Sequence, residues 1–413
     1  MSIPSRIRSA KFRYSLVVMC LALVGGYSFQ TAVVACPFCS APSLTLAEQV
    51  NQSDAVVLAE WQSSERGTAD EASQTHLKIV AVVKQSDNGL KKGDEIVLNR
   101  FRSAEKGQKM LLLGTSGETS VDWDSPLDVS DLSYDYIMQA PAMEVPTTKR
   151  LEYYIQFLEF PEELVANDAY AEFANAPYED IVPLADKMPR EKLREWVLAA
   201  YSDDPQDQIR AATLSTRMGL YGLMLGLCGK DEDAKLLEEK ITEQKTDFRL
   251  GIDGIMAGYL VLTKEDGLKV IEDRKLKPSA EVPFSETYSA MQAVRFMWNY
   301  GDERISKERL RQSMRILLER KELVDLVIGD LARWQDWSIL DRLHEMYGAE
   351  GYEIGAIKRA IIRYYLSAIQ AGSKDDADED AQNVAAEAKN YLDDIREKDP
   401  KTVEQAERFF LLD

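Results

Sequence analysis

Two closely spaced cysteines are the side chains with the most distinctive chemistry in this chain. Cys36 and Cys39 enclose a proline and a phenylalanine in the run CPFC. At this spacing two thiols can close a tight disulfide, or one thiol with a depressed pKa can act in thiol–disulfide exchange. If cleavage exposes Cys36 as a new N-terminus, its sulfur can instead carry a lipid. We expect a structural disulfide or lipidation here, with redox chemistry as an alternative.

Arg333, Trp334 and Trp337 form a second group of interest, at a predicted turn between two helices. Arginine and large aromatic side chains contribute most of the binding free energy at protein interfaces. Further aromatic residues are concentrated in the same part of the chain, and they include Trp298, Tyr300, Tyr347, Tyr364 and Tyr365. We predict that the three residues around the turn form an edge that binds a partner protein.

No other part of the sequence contains a recognisable catalytic or metal-binding pattern. His76 and His344 have no cysteine or histidine at ligand spacing, and no G-x-S-x-G motif is present. The acidic stretches at 122–135 and 373–380 lack the residue pattern of a calcium loop. Cys228 lies in an apolar run and is expected to be a buried thiol. We predict no catalytic residue, metal or cofactor, and favour a protein without enzymatic activity.

The first 35 residues have the pattern of an export signal. Basic residues up to Arg13 precede an apolar core at 15–26, as in a secretory signal peptide. This core is too short to cross a bilayer, which requires about 20 apolar residues. Val33 and Ala35 then provide small residues ahead of a cleavage site. We predict export with Cys36 as the mature N-terminus, and a periplasmic, cell-envelope or secreted location, lipid-anchored if Cys36 is lipidated.

The composition restricts the classes of partner. The chain has 70 acidic against 50 basic residues and a formal net charge of −20. Binding to nucleic acid depends on lysine and arginine neutralising phosphates, so this charge argues against a nucleic-acid partner. No segment after the signal is long and apolar enough to cross a bilayer. We therefore expect a protein partner, and membrane contact only through a lipidated Cys36.

Residues 53–140 carry the pattern of a small β domain. Apolar residues alternate with polar ones, β-branched residues are frequent, and Gly, Asn and Asp separate the runs. The predicted strands are 54–62, 75–84, 94–100, 109–115 and a weaker 134–139, preceded by a short helix at 43–51. Five short strands with frequent turns favour a small barrel or sandwich.

Beyond residue 147 the apolar residues recur at three- and four-residue spacing, which predicts helices. The predicted helices are 148–160, 191–201, 209–227, 233–244, 248–262, 264–275, 284–300, 307–320, 322–334, 338–346, 353–369, 377–397 and 402–411. Polar turns that begin at residues 229, 263, 301 and 335 recur about every 35 residues, an interval typical of helical-hairpin repeats. Since a helix pair cannot bury its apolar face alone, this recurrence predicts stacked hairpins, an α-solenoid of HEAT or TPR type.

The β region resembles a netrin/TIMP-like (NTR) domain. The resemblance rests on the cysteines at the mature terminus, the run SDAVVLA at 53–59, the run LKKGDEIV at 90–97 and the run GQKMLLLG at 107–114. It implies an OB-fold barrel and, as an alternative function, inhibition of a protease through the mature N-terminus. The chain also resembles exported bacterial proteins that begin CPFCSAPSLTL, and this second resemblance implies no activity.

Together these features predict a multidomain α+β protein. We expect a signal peptide at 1–35, an OB/NTR-like β domain at 36–145, a HEAT/TPR-like solenoid at 146–372 and acidic capping helices at 373–413. The predicted function is that of an exported, non-enzymatic binding or scaffold protein of the cell envelope. A thiol–disulfide redox protein that uses Cys36 and Cys39, and a protease inhibitor, are the alternatives.

Overall fold

The computed structural model of the chain describes residues 36–39, 44–68, 71–85, 89–117, 120–202, 204, 207–243 and 248–410. Residues 1–35, which hold the predicted signal, lie outside this part. The protein has a mixed α+β fold in which a barrel-like antiparallel sheet comes first and many helices follow. Within the described residues, no helix is both long and apolar enough to cross a bilayer.

A short helix leads into the sheet, and β-branched and apolar residues form its strands. The elements are α1 Leu46–Gln52, β1 Ala55–Glu65, β2 Gln74–Lys84, β3 Glu95–Leu98, β4 Lys109–Ser116, β5 Val121–Trp123 and β6 Leu127–Asp128. The strand order is β3-β2-β1-β4-β5, every pairing is antiparallel, and β6 lies beside β5 on the same edge of β4. Four predicted strands are therefore present, with bounds shifted by up to three residues.

Alternate residues of the strands enter two different cores, as the two-residue period of a strand requires. Val57, Leu77 and Leu112 belong to a small cluster formed by one face of the sheet. Val56 and Leu111, on the other face, belong to a large cluster that continues through the helices as far as Ala406. The sheet and the helices therefore share one continuous apolar core.

The predicted strand at 134–139 is wrong, because this segment is helical. It lies in the helix Asp131–Gln139, which begins at the N-cap residue Ser130. The hydroxyl of Ser130 accepts from the N–H of Leu132 and of Ser133, and the Ser133 side chain accepts from the N–H of Ser130. Such a capping box satisfies backbone groups that a strand would leave to a neighbour. The fifth strand of the sheet is instead β5, which overlaps the start of the acidic stretch at 122–135.

Helices form the rest of the molecule. They are α2 Asp131–Gln139, α3 Thr147–Tyr154, α4 Glu163–Asn175, α5 Tyr178–Ile181, α6 Arg190–Ala200, α7 Gln208–Ser215, α8 Met218–Cys228, α9 Asp231–Thr242, α10 Ile252–Ile271, α11 Phe284–Tyr300, α12 Lys307–Ile316, α13 Val324–Arg333, α14 Leu340–Met346, α15 Gly355–Gly372, α16 Glu379–Lys398 and α17 Pro400–Phe410. Short 3₁₀ turns extend several of them. The predicted helix at 284–300 agrees with α11 at both ends.

The helical region departs from the prediction at the segment 209–227 and at α4, and it agrees with the prediction near Lys264. The helix predicted at 209–227 is divided into α7 and α8 near Arg217, whose buried guanidinium bonds to Glu159 and to Asn167 of α4. The break predicted between the helices at 248–262 and 264–275 is confirmed, because α10 is interrupted at Lys264, whose φ of 56° and ψ of −131° are not helical. The helix α4 was not predicted at all, because acidic residues interrupt the apolar period of its buried face.

The helices α8 and α10 approach each other closely along glycine residues. A Cβ added at Gly226 would overlap the backbone of Gly258, and one added at Gly258 would overlap the carbonyl of Gly222. Almost the whole of α8 is buried, which is why its sequence is apolar on every side. The end of α8 is less enclosed, so Cys228 is half-buried rather than buried as expected.

Candidate binding groove

Residues 36–39, which we call the CPFC turn, are packed into the helical region. Cys36 and Cys39 are joined by a disulfide with an S–S distance of 2.14 Å. The Cys39 N–H donates to the Cys36 carbonyl (3.2 Å), so one hydrogen bond also closes the turn. The Cys36 N–H donates to the carbonyl of Ala174 in α4 (3.2 Å), and only 4% of Cys36 is exposed.

Phe38 attaches the turn to the helices. Its ring lies 5.1 Å from that of Phe296 in α11, measured between centroids. Its carbonyl is so close to Gly219 that a Cβ at that position would overlap it. Tyr178 and Tyr300 pack against the same Phe296 ring. The N-terminal turn therefore contacts elements that are far from it in sequence.

A groove of about 470 Å³ opens beside the CPFC turn, and we call it the Trp298 groove. The turn forms one wall, and α11 with the end of α13 forms the other. Its lining residues are Pro37, Phe38, Gln292, Arg295, Phe296, Trp298, Asn299, Tyr300, Asp330, Arg333 and Trp334. The groove thus brings together the disulfide segment and two of the three residues predicted to form a partner-binding edge.

The predicted edge is not a single exposed patch. Trp334 is only 6% exposed, and its ring stacks on Trp298 with centroids 4.2 Å apart and planes 7° from parallel. Trp337 is half-buried against Tyr364 and does not line the groove. Arg333 is the exposed member, with 68% of its side chain accessible. Trp337 is therefore separated from the other two, because the turn at Gln335 and Asp336 directs its ring toward Tyr364 of α15.

The side chains that line the Trp298 groove have a net positive charge, whereas the whole chain has a net negative charge. Asp330 is 1% exposed and accepts from Arg295 Nε (2.6 Å) and from Arg333 Nη2. Two guanidinium groups therefore face one carboxylate. Lys307 lies over the Trp298 ring, with Nζ 4.4 Å from the centroid. The groove combines aromatic surface with an excess of positive charge, which suits an acidic protein surface.

The sequence did not indicate that Arg295 and Asp330 belong to this site. Charged residues on an amphipathic helix are usually solvated, and only the packing of α11 beside α13 brings these two together. Their positions differ by nearly the interval of the predicted repeat, about 35 residues. An alignment of the predicted repeats with one another would have placed Arg295 and Asp330 at nearly equivalent positions, and this was the available sequence signal.

Each histidine pairs with one acidic residue, and the remaining cysteine is a thiol with a raised pKa. His76 Nδ1 lies 2.7 Å from Glu95, and His344 Nε2 lies 2.7 Å from Asp394. Burial raises the pKa of the Cys228 thiol to about 11, so little thiolate is present at neutral pH. In the part of the chain that the structure describes, no group of three or more His, Cys, Asp or Glu is arranged to hold a metal ion.

A buried polar cluster joins the N-terminal elements to α4, and we call it the Asp168 cluster. Asp168 accepts from the Leu46 N–H (2.6 Å) and from the Tyr136 hydroxyl (2.7 Å), while Glu172 accepts from Arg150 Nη2. Burial raises the pKa of Asp168 to about 6 and also raises that of Glu172. The cluster therefore holds α1 and α2 against the helical region through carboxylates that bind protons unusually readily.

Comparison with known protein families, with curated proteins and with solved structures finds no match to this chain. Its function must therefore be inferred from its own residues.

Proposed function

We propose that this protein is an exported, non-enzymatic binding protein of the cell envelope that engages a partner protein at the Trp298 groove. The observation that carries the proposal is the meeting of the CPFC turn with the stacked Trp298–Trp334 pair and the exposed Arg333 in one groove. Tryptophan, tyrosine and arginine are the residues most enriched at interface hot spots. The excess positive charge favours an acidic surface on the partner.

The proposal includes the finer fold types inferred from the sequence. We propose that the sheet is an OB-like barrel of NTR type and that the helices form an irregular HEAT- or TPR-like stack. The all-antiparallel five-strand order supports the first assignment. The packing of α8 on α10, α10 on α11 and α13 on α15 supports the second. In this proposal the stack is a scaffold that presents the groove.

The disulfide bears on the alternative functions. A sulfur in a disulfide has no thiol with which to carry a lipid, so the pairing of Cys36 with Cys39 favours secretion without lipidation. An inhibitor acting through its terminus needs that terminus exposed, whereas the Cys36 N–H is directed to Ala174 inside the protein. A redox protein needs an accessible sulfur, whereas Cys36 is buried and Cys39 is half-buried. We therefore place the binding function ahead of both alternative functions.

Site-specific cross-linking in the producing cell tests the proposal. A photoreactive amino acid replaces Asn299, which is exposed and lines the groove. The matched control carries the same amino acid at Asn390, which is exposed on α16 and absent from the groove lining. We expect a discrete cross-linked product from position 299 only, and its loss when Arg333→Glu is added. The product is then identified by mass spectrometry and its binding reproduced with purified partner.

The same experiment has two contradicting outcomes. Equal cross-linking from both positions indicates non-specific contact, and absence of any product from position 299 rules out a partner at this groove. Mass spectrometry of the purified protein tests export separately, because we expect a chain that begins at Cys36 with no lipid attached. An uncleaved N-terminus would contradict the export part without affecting the groove.

A further inference from the structure

The barrel-like sheet is open between its two edge strands. β3 and β5 are the ends of the strand order, and among the described residues no hydrogen-bonded ladder joins them. A groove of about 790 Å³ lies between them, lined by the whole of β3 and by β5. We call it the edge groove. It is separate from the Trp298 groove, and the inference below does not depend on the function proposed above.

The register of β2 and β3 shows which backbone groups face the edge groove. Ile79 donates its N–H to the Asp94 carbonyl (2.9 Å) and accepts from the Gly93 N–H (2.8 Å). Every second residue of an antiparallel strand directs its N–H and C=O groups to the same neighbour. Leu77 therefore directs its backbone groups to β3, and its partner Ile96 directs its own to β2. The intervening β3 residues, Glu95 and Val97, therefore direct their N–H and C=O groups away from β2 and into the groove.

The register of β4 and β5 gives the matching result on the other side. The Asp124 N–H donates to the Leu113 carbonyl (2.9 Å), so Leu113 and, two residues later, Thr115 face β5. Thr115 is paired with Asp122. Val121 and Trp123 therefore direct their backbone groups into the edge groove. Among the described residues these two edges have no neighbouring strand, and they face each other across the groove.

Arg100 bridges the two edge strands at one end of the edge groove. It follows β3, and its guanidinium crosses to β5, where Nη2 donates to the carbonyls of Trp123 and Asp124 and Nη1 donates to Ser125 Oγ. This bridge starts beyond the last residue of β3, so in the described part of the chain the backbone groups of Glu95 and Val97 are left without a neighbouring strand on this side. The side chain therefore closes one end of the edge groove and leaves the rest of β3 open to an inserted strand.

The strand directions also suit a single insertion. Four successive antiparallel pairings lead from β3 through β2, β1 and β4 to β5, so β3 and β5 run in the same direction. Direct closure would make a parallel pair, which is slightly less stable per residue than an antiparallel pair. One inserted strand that runs the opposite way would be antiparallel to both edges and would close the barrel.

We propose that the edge groove binds an extended segment of a partner protein, added as one antiparallel strand between β3 and β5. Strand addition obtains affinity from backbone hydrogen bonds and selectivity from the side chains alongside. Glu95 and Asp122 line the groove, while the Arg100 guanidinium is directed at backbone and hydroxyl oxygens. With a net charge of −20 on the chain, the segment has basic residues at its ends.

A synthetic peptide tests the proposal on the full mature protein. The probe is fluorescein-labelled Lys-Val-Thr-Val-Thr-Lys with blocked ends, and binding is followed by fluorescence anisotropy. Hydrogen exchange then locates the site, and we expect slower exchange of the groove-facing amides, which are those of Glu95, Val97, Val121 and Trp123. The same peptide N-methylated at both valines keeps its side chains but loses backbone donors, so we expect binding at least about tenfold weaker. A peptide with glutamate in place of both lysines should bind about tenfold more weakly at low salt.

A pair of protein variants gives the matching test from the other side. Val97→Pro removes an N–H directed into the groove and leaves the bonds to β2 intact, as proline does on an edge strand. Val97→Thr is the control, because this residue is 45% exposed and threonine keeps both the N–H and the β-branch. We expect Val97→Pro to abolish binding and Val97→Thr to retain it, with unchanged circular dichroism in both.

Several results would overturn the proposal. They are equal binding of the N-methylated peptide, equal binding by Val97→Pro, no binding of the probe at millimolar concentration, or slowed exchange outside both edges. Dimerisation of the protein alone that protects the same amides, measured by sedimentation, would assign the edge groove to a second copy of this chain and would also overturn it.

Discussion

At the scale of single residues, Asp330 holds the two arginines of the Trp298 groove. It is buried and accepts from Arg295 and Arg333. Asp330→Asn removes the charge and leaves the Arg295 guanidinium, 23% exposed, without its anion. We expect the free energy of unfolding to fall by about 2 kcal/mol, below the full cost of breaking a buried pair because Arg295 is partly hydrated. Urea unfolding followed by tryptophan fluorescence measures it.

Glu322→Gln is the matched control, because it makes the same change of charge at an exposed residue, and it should alter the free energy of unfolding by less than about 0.5 kcal/mol. Adding Arg295→Gln to Asp330→Asn should cost less than the sum of the single changes, since the two residues form one interaction. Additive costs, or equal effects of Asp330→Asn and Glu322→Gln, would show that the ion pair is not an important contact.

The sequence indicated the residues of this site only in part. Arg333 and Trp334 could be found from their type and their place at a turn. Their exposure could not, because Trp334 is covered by Trp298 from a neighbouring helix. Asp330 could not be found either, since an acidic residue on an amphipathic helix is expected to face solvent.

At the scale of elements, the Asp168 cluster couples the packing of α4 to pH. The folded-state pKa of Asp168 is about 6 because of burial, above the ordinary value of 3.8. Protonation between these values therefore favours the folded state, and the free energy of unfolding should rise as pH falls through 6. Relative to Asp168→Asn, which cannot titrate, we expect the wild type to gain about 1 kcal/mol between pH 7 and pH 5. Urea unfolding of both proteins at the two pH values measures this.

Several neighbouring groups also affect the pKa of Asp168, and the comparison with Asp168→Asn allows for them. Glu172 and Glu48 raise the pKa of Asp168 further, while the Leu46 N–H and the Tyr136 hydroxyl lower it. The pKa of Glu172 is also raised by burial, with Arg150 opposing the shift. Since these groups are common to both proteins, a pH dependence that is identical in wild type and Asp168→Asn would contradict the assignment to Asp168.

The elements show which sequence patterns are reliable. α11 was predicted at both ends because a strong helical period lies between Pro283 and Gly301. The short stretch at 134–139 fits either period, and the cap at Ser130 decides in favour of a helix. The helix α4 was missed because Asp168 and Glu172 are on its buried face, and their hydrogen-bonding partners are far away in sequence.

At the scale of the whole molecule, long-range contacts join regions that the sequence separates. The Leu46 N–H reaches Asp168, and the Cys36 N–H reaches Ala174. The predicted change from β to helical pattern agrees with the observed order of elements. The shared core could not be predicted, because local periodicity contains no information about which distant surfaces cover one another.

The CPFC turn is the clearest of these long-range links, and its removal tests the role of the N-terminus in the whole molecule. Cys36→Ser combined with Cys39→Ser opens a very short disulfide loop, so we expect a loss of only about 2 kcal/mol in the free energy of unfolding. The fold should persist, because the apolar core is continuous without the turn. Circular dichroism and urea unfolding measure both expectations, with Cys228→Ala, a cysteine outside the disulfide, as the control.

The same double variant should lose binding at the Trp298 groove although it remains folded. Pro37 and Phe38 form one wall of the Trp298 groove, and Phe38 is held against Phe296 by the closed turn. Opening the turn removes that wall, so cross-linking from Asn299 should disappear in a protein that is still folded. Phe38→Ala should produce the same loss with the disulfide intact. Retained cross-linking in both variants would show that the partner contacts the helices alone.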